Sequence, residues 1–192
     1  GLAGVSTALE LSKNYKIALV TKKKLEDSNS YLAQGGINVL KDKSDRKTFI
    51  EDTLKAGHYK NNLQAVEKMV DMSQAAINFL LDLGVEFTKK NGDFDYAREG
   101  GHSIARGLHI DDEIGKGILD VLYKRLRERA NIEIFEDTPI VDLIVNKGKC
   151  YGARSLDKIF ISTNVVLATG GLGGLFDRST NFPHICGDGY AM

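Results

Sequence analysis

A glycine turn that opens straight into a helix, followed by a short β-rich run, constrains this chain most. Gly1-Leu2-Ala3-Gly4 leads into Val5 to Lys13, where Val5, Ala8 and Leu9 recur at helical spacing, and then into the run Lys16 to Thr21. That is the order of a dinucleotide-binding βαβ unit, in which glycines admit a pyrophosphate and the helix N-terminus offers free N–H groups and partial positive charge. A G-x-G-x-x-G turn ordinarily follows a strand, so Gly1 and Gly4 read as its second and third glycines and the first strand is expected to be missing. Gly187-Asp188-Gly189-Tyr190 reads as a turn entering a helix, so truncation is expected at the other end too.

The loop after the second strand of such a unit lies beside the dinucleotide. Here it is Ser28-Asn29-Ser30-Tyr31-Leu32-Ala33-Gln34-Gly35-Gly36-Ile37, polar and small, with a glycine pair that lets backbone N–H groups reach phosphate or a flat ring. The usual acidic residue at the end of the second strand is replaced by Thr21-Lys22-Lys23-Lys24. This cluster reads equally as a solvated edge or, at Lys22, as a phosphate contact.

A short strand is expected at Ile37 to Leu40, then helices over Arg46 to Ala56 and Asn62 to Leu83, the second carrying an apolar stripe of Val66, Met69, Val70, Ile77, Leu80 and Leu81 closed by Gly84. Met69 and Met72 read as core and His58 as a solvated loop residue. Next comes Arg98-Glu99-Gly100-Gly101-His102-Ser103, followed by Arg106, His109, Asp112 and Gly115. Ionisable side chains crowded among glycines make a poor core; a charged surface loop is the plain alternative, and close backbone approach to a flat or anionic group is favoured over it. The spacing of His102 and His109 matches no zinc pattern, and no metal is expected.

A helix over Gly117 to Arg129 and a strand over Asn131 to Glu136 follow. Ile140 to Val145, Tyr151 to Ser155 and Lys158 to Ser162 form an antiparallel meander with a hairpin turn at Asn146-Lys147-Gly148-Lys149. Asn164 to Ala168 is a continuous apolar run expected to be a strand buried on both faces, feeding Thr169-Gly170-Gly171-Leu172-Gly173-Gly174 as if a cofactor lay over its carboxyl end.

Composition removes other classes. The 26 Lys and Arg cancel the 26 Asp and Glu, which argues against a nucleic-acid or membrane-surface protein. No run of about 18 apolar residues appears. Cys150 and Cys186 have neither metal-ligand nor disulfide spacing; they read as ordinary thiols in a reducing cytoplasm. The fold class expected is α/β, a Rossmann-like domain with a parallel sheet flanked by helices and a small antiparallel meander. Residues 1–45 form the βαβ remnant, 46–130 a helical insertion and 131–192 the closing strands.

With A-Q-G-G, R-E-G-G-H-S and A-T-G-G in this order, the sequence resembles the L-aspartate oxidase branch of the fumarate reductase and succinate dehydrogenase flavoprotein family. The resemblance implies an FAD-binding domain without its capping domain. Gly1, Leu2, Ala3 and Gly4 would hold the FAD pyrophosphate, and Lys22 matches the family's basic residue after the second strand. Asn29, Ser30, Tyr31, Leu32, Ala33, Gln34, Gly35 and Gly36 would wrap the flavin side; Thr169, Gly170 and Gly171 would lie near the adenosine half, and Asp188 beside the cofactor. Glu99 matches the glutamate that orients the substrate, with His102 and Arg106 as further catalytic candidates. Asn29 stands where respiratory members carry the histidine that bonds FAD, so the cofactor is expected to be non-covalent.

The implied reaction oxidises L-aspartate to iminoaspartate with oxygen or fumarate as acceptor, in quinolinate and NAD synthesis, with quinolinate synthase as a partner and no turnover from this stretch alone. A soluble fumarate reductase or succinate dehydrogenase-type flavoprotein, or a non-catalytic nucleotide-binding module, are the alternatives.

Overall fold

The computed structural model describes residues 1–192. In chain order it runs α1 (Leu2–Leu11), β1 (Ile17–Val20), β2 (Ile37–Asn38), α2 (Arg46–Ala56), α3 (Leu63–Asp82), β3 (Lys89–Lys90), β4 (Asp93–Phe94) and β5 (Tyr96–Ala97). There follow β6 (Gly107–Leu108), α4 (Ile114–Arg127), β7 (Ile132–Phe135), β8 (Asp142–Asn146), β9 (Lys149–Arg154), β10 (Ile159–Ile161) and α5 (Asp188–Ala191). The chain forms two compact units, Gly1–Leu32 with Leu122–Met192, and Ala33–Val121, the boundary falling inside α4.

In the first unit α1 buries Val5, Ala8 and Leu9, the apolar positions that its helical spacing puts on one face. β1 pairs in parallel with β7, Ile17 opposite Ile132 and Val20 opposite Phe135. The meander is present in the order β10-β9-β8. Its first turn leaves Lys147 and Gly148 both at positive φ, 47° and 74°, the mirror-image turn whose twist matches a two-residue hairpin. Phe135 meets Phe160 edge-on with centroids 5.0 Å apart, tying β7 to the meander.

The strand expected over Asn164 to Ala168 does not form. No neighbouring strand pairs with it, so its backbone groups have no ladder, and Val166 and Leu167 are 58% and 50% exposed instead of buried on both faces. An apolar run makes a buried strand only where partners flank it, and periodicity cannot supply the partner.

In the second unit α2 and α3 pack through Leu40, Phe49, Val66 and Val70, with Ile50 and Leu54 against them. Asn62 caps α3, its side chain accepting from Ala65 N at 3.1 Å. The buried stripe is Val66, Val70, Ile77 and Leu80, while Met69 and Met72 are 49% and 54% exposed, against the expectation of core. Met72 lies about 200° round the helix from Val70, off the stripe, whereas Met69 shares the edge direction of Leu80 but sits about three turns nearer the N-terminus, where that edge of the helix is left open. β6 pairs antiparallel with both β2 and β5, Leu108 facing Ile37 and Tyr96. The strand expected over Ile37 to Leu40 stops at Asn38, because Leu40 N donates to Ser73 Oγ of α3 at 2.9 Å and leaves the ladder. The helix expected from Gly117 begins three residues earlier, at Ile114, and ends at Arg127 instead of Arg129. No helix is long and apolar enough to cross a membrane.

Candidate functional site

In the first unit the residues gather at the N-terminus of α1. Gly1 is its N-cap and, as a glycine, has no side chain to cap the helix; no acidic residue occupies the first turn. Leu2 N donates to Ser30 Oγ at 3.1 Å and Val5 N to the Gly1 carbonyl at 3.2 Å, while the N–H groups of Ala3 and Gly4 have no intrahelical acceptor. A Cβ at Gly1 would lie 2.8 Å from Ser30 Oγ and would displace the hydroxyl that takes the Leu2 N–H. A Cβ at Gly4 would lie 3.3 Å from Cβ of Ala168, which brings the segment before Thr169 against the same helix. Ser28 Oγ is buried without a hydrogen-bond partner. Uncapped N–H groups, a glycine cradle and an orphaned hydroxyl fit a dinucleotide pyrophosphate.

Lys22 is placed in a second cluster of this unit. Its Nζ lies 2.9 Å from Asp188 Oδ2, 3.1 Å from the His184 carbonyl and 3.3 Å from Cys186 Sγ. The Asp188 hydrogen bond raises the Lys22 ammonium above its ordinary value despite partial burial. For Asp188, burial pushes the carboxyl up, but the hydrogen bonds from Lys22 and Cys186 outweigh it and the net shift is downward. A Cβ at Gly189 would strike Thr169 Oγ1, so A-T-G-G and Gly187-Asp188-Gly189 also meet, with Gly170 at φ 75° and open space beside Gly171. Asn29 is spent on the protein: its Oδ1 accepts from Phe182 N at 3.0 Å and its Nδ2 donates to Asn181. Tyr31 stacks on Tyr123 at 6.3 Å, and Leu32 is exposed.

The second unit joins two sequence motifs. Gly35, at φ 81°, comes so near Glu99 that a Cβ would lie 3.1 Å from its Oε1. A Cβ at Gly36 would lie 2.7 Å from the Leu108 carbonyl, so the glycine pair is set by close packing on both sides. Ala33 accepts from Gly115 N at 3.0 Å, and Ala33 and Gln34 are exposed. Gly35→Ala is expected to cost about 1–2 kcal/mol from positive-φ strain and to displace the Glu99 carboxylate. Faster amide hydrogen exchange in β2 and β6 checks it, and unchanged exchange argues against the strain.

Around Arg98 to Arg106 the structure builds a charged knot. Arg106, fully buried, grips Asp45 side-on, Nη2 to Oδ1 at 2.6 Å and Nε to Oδ2 at 3.1 Å. Its Nη1 reaches Asp52 Oδ2 at 2.6 Å and His102 Nδ1 at 2.5 Å. Asp52 also accepts from Ser103 N at 2.9 Å and Ser103 Oγ at 2.8 Å, and Phe49 lies under the guanidinium at 4.8 Å. Burial lowers the His102 pKa and the Arg106 charge lowers it further, against the opposing pull of Asp52, Glu99 and Asp45. Asp45 and Asp52 belong to no motif of the sequence. Their signal was spacing: seven residues are about two helical turns, which puts both carboxylates on one face where α2 begins.

The whole chain, residues 1–192, matches the family described as FAD binding domain. L-aspartate oxidase of Clostridium acetobutylicum is 41% identical over 197 residues, covering 100% of this chain and 45% of the relative. L-aspartate oxidase of Clostridium perfringens is 42% identical over 192 residues, covering 98% of this chain and 44% of the relative. Among solved structures, Sdh1 of Mycobacterium smegmatis in complex with UQ1 superposes with a TM-score of 0.84 at 26% identity, over 93% of this chain and 34% of that one. A quinol-fumarate reductase with menaquinol molecules superposes at 0.89 over 98% of this chain and 34% of that one; at 24% identity it shows the fold alone. The chain spans less than half the length of these curated relatives.

Proposed function

The chain belongs to the FAD binding domain family, and from that membership we propose that it forms the FAD-binding part of a flavoenzyme that oxidises L-aspartate to iminoaspartate. FAD, when bound, supplies the two-electron oxidant. Gly1 to Gly4 and the free N–H groups of α1 take its pyrophosphate, with Ser28 completing the hydrogen bonding. Lys22, Asp188 and Thr169 to Gly171 serve its adenosine half, and Asn29 to Gly36 its flavin side. Asn29 lacks the ring nitrogen a covalent link requires, so the cofactor is held non-covalently.

The observation that carries the substrate reading is the Glu99 carboxylate, placed against the Gly35 backbone of the A-Q-G-G loop. A carboxylate there pairs with an α-ammonium, the group that separates L-aspartate from a plain dicarboxylate. His102 lies on the same loop, its backbone N donating to Glu99 O at 3.0 Å. Electrons leave to oxygen, giving peroxide, or to fumarate, giving succinate. The product is an unstable imine, which suits immediate consumption by a quinolinate synthase in the cytoplasm.

The test is anaerobic addition of substrate to the FAD-loaded full-length protein, followed by flavin absorbance. L-aspartate is expected to bleach the flavin and succinate to leave it oxidised. Bleaching by succinate alone moves the protein to the dicarboxylate branch, and bleaching by neither leaves a nucleotide-binding module.

A further inference from the structure

The Arg106 knot does more than hold two loops. A guanidinium has N–H donors and no acceptor, so the 2.5 Å approach of Arg106 Nη1 to His102 Nδ1 forces that ring nitrogen to be the acceptor. An imidazole whose Nδ1 accepts carries its proton on Nε2. A protonated ring would set N–H against N–H and a cation against a cation.

We propose that Arg106 is a positioning residue: held by Asp45 and Asp52, it fixes His102 as the neutral Nε2–H tautomer. The loop that carries Glu99 thereby also offers a dicarboxylate substrate a neutral N–H donor. The substrate half of this rests on the proposed function; the tautomer does not.

The geometry gives Arg106 no freedom to do otherwise. Its Nε and Nη2 are occupied by Asp45, its Nη1 is divided between Asp52 and His102, and Phe49 packs against both the guanidinium and the imidazole, the latter edge-on at 5.4 Å. His102 is pinned by its main chain as well, its carbonyl accepting from Arg98 Nε at 2.9 Å. Nδ1 is thus used internally, Nε2 makes no hydrogen bond within the chain, and the side chain keeps 14% exposure. The charged groups facing the ring are Arg106, Asp52, Asp45 and Glu99. Burial and Arg106 outweigh the three carboxylates and pull the ring below the ordinary imidazole value. A neutral donor on the loop that carries Glu99 suits an amino acid with two carboxylates: Glu99 takes the ammonium, while His102 binds a carboxylate without giving Glu99 a competing cation.

Two measurements on the FAD-loaded full-length protein test this. In ring-nitrogen NMR, with His102→Gln identifying the signal, His102 is expected to show protonated Nε2 and bare Nδ1 from pH 8 to about pH 6, below which an ordinary imidazole has already charged. Protonated Nδ1, or an imidazolium at neutral pH, overturns the proposal.

His102→Asn keeps an acceptor for Arg106 but removes the donor at the Nε2 position, whereas His102→Gln reaches that position with its amide. Asn is expected to raise KM for L-aspartate about 10–100-fold with kcat little changed, and Gln to stay within about tenfold of wild type. Wild-type behaviour of the Asn variant overturns the donor role, since a purely structural histidine would be satisfied by that acceptor. Failure of L-aspartate to reduce the wild-type flavin overturns the proposed function instead, and the NMR result still decides the tautomer.

Discussion

Replacing Arg106 with Met is expected to destabilise the unit formed by Ala33–Val121 by about 3–5 kcal/mol. Arg106 is 0% exposed, and the side chains of Asp45 and Asp52 retain only 4% and 13%. Removing the guanidinium leaves Asp45 buried without its bidentate partner, so the cost is that of an uncompensated buried charge and not of a surface ion pair. Asp52 fares better, because Ser103 still donates to it twice. Native-state hydrogen exchange at the protected amides of α2 and α3 in the full-length protein reads this loss locally. Arg106→Met combined with Asp45→Leu is expected to recover part of it, since the stranded charge goes too. A loss below about 1 kcal/mol for Arg106→Met would mean that water reaches the carboxylates and the knot is not a buried network.

Glu99→Gln is expected to lower kcat/KM for L-aspartate about 100-fold while FAD stays bound. The change is isosteric, so the close approach to Gly35 survives and only the charge is lost. A charge-assisted hydrogen bond to an ammonium is worth about 1.5–3 kcal/mol, which converts to a rate loss of that order. Anaerobic flavin reduction by L-aspartate measures it. Any residual reduction by succinate, which has no ammonium, is expected to be unaffected by the substitution. An equal loss with both would show that Glu99 shapes the site and does not read the amino group.

Local features of the sequence carried much of the fold. The helix Arg46–Ala56 and the cap at Asn62 follow from periodicity and side-chain chemistry acting within a few residues. Lys147-Gly148 is legible for the same reason, because a two-residue hairpin demands positive φ at both positions and the sequence offers a glycine at one. The segment over Asn164 to Ala168 carries the pattern of a buried strand without forming one, because a strand is a pairing and not a property of one segment. Met69 and Met72 are exposed against their sequence pattern because a hydrophobic side chain is compatible with the core but does not require it.

The candidate site divides along the same line. Its motifs, Gly1 to Gly4, Gly35-Gly36, Glu99 to Ser103 and Thr169 to Gly171, stand out in the sequence because paired or closely spaced glycines let the backbone approach a bound group, and with them comes membership of an FAD-binding family. Only the tertiary structure decided that Gly35 faces Glu99, that Lys22 meets Asp188, and that Arg106 takes Asp45 and Asp52 as partners 61 and 54 residues away. Those meetings follow from how the chain closes on itself. Residue type and spacing set what a side chain is able to bond, and the packing of α2 against its unit sets which partner is within reach, and so which nitrogen of His102 bears the proton.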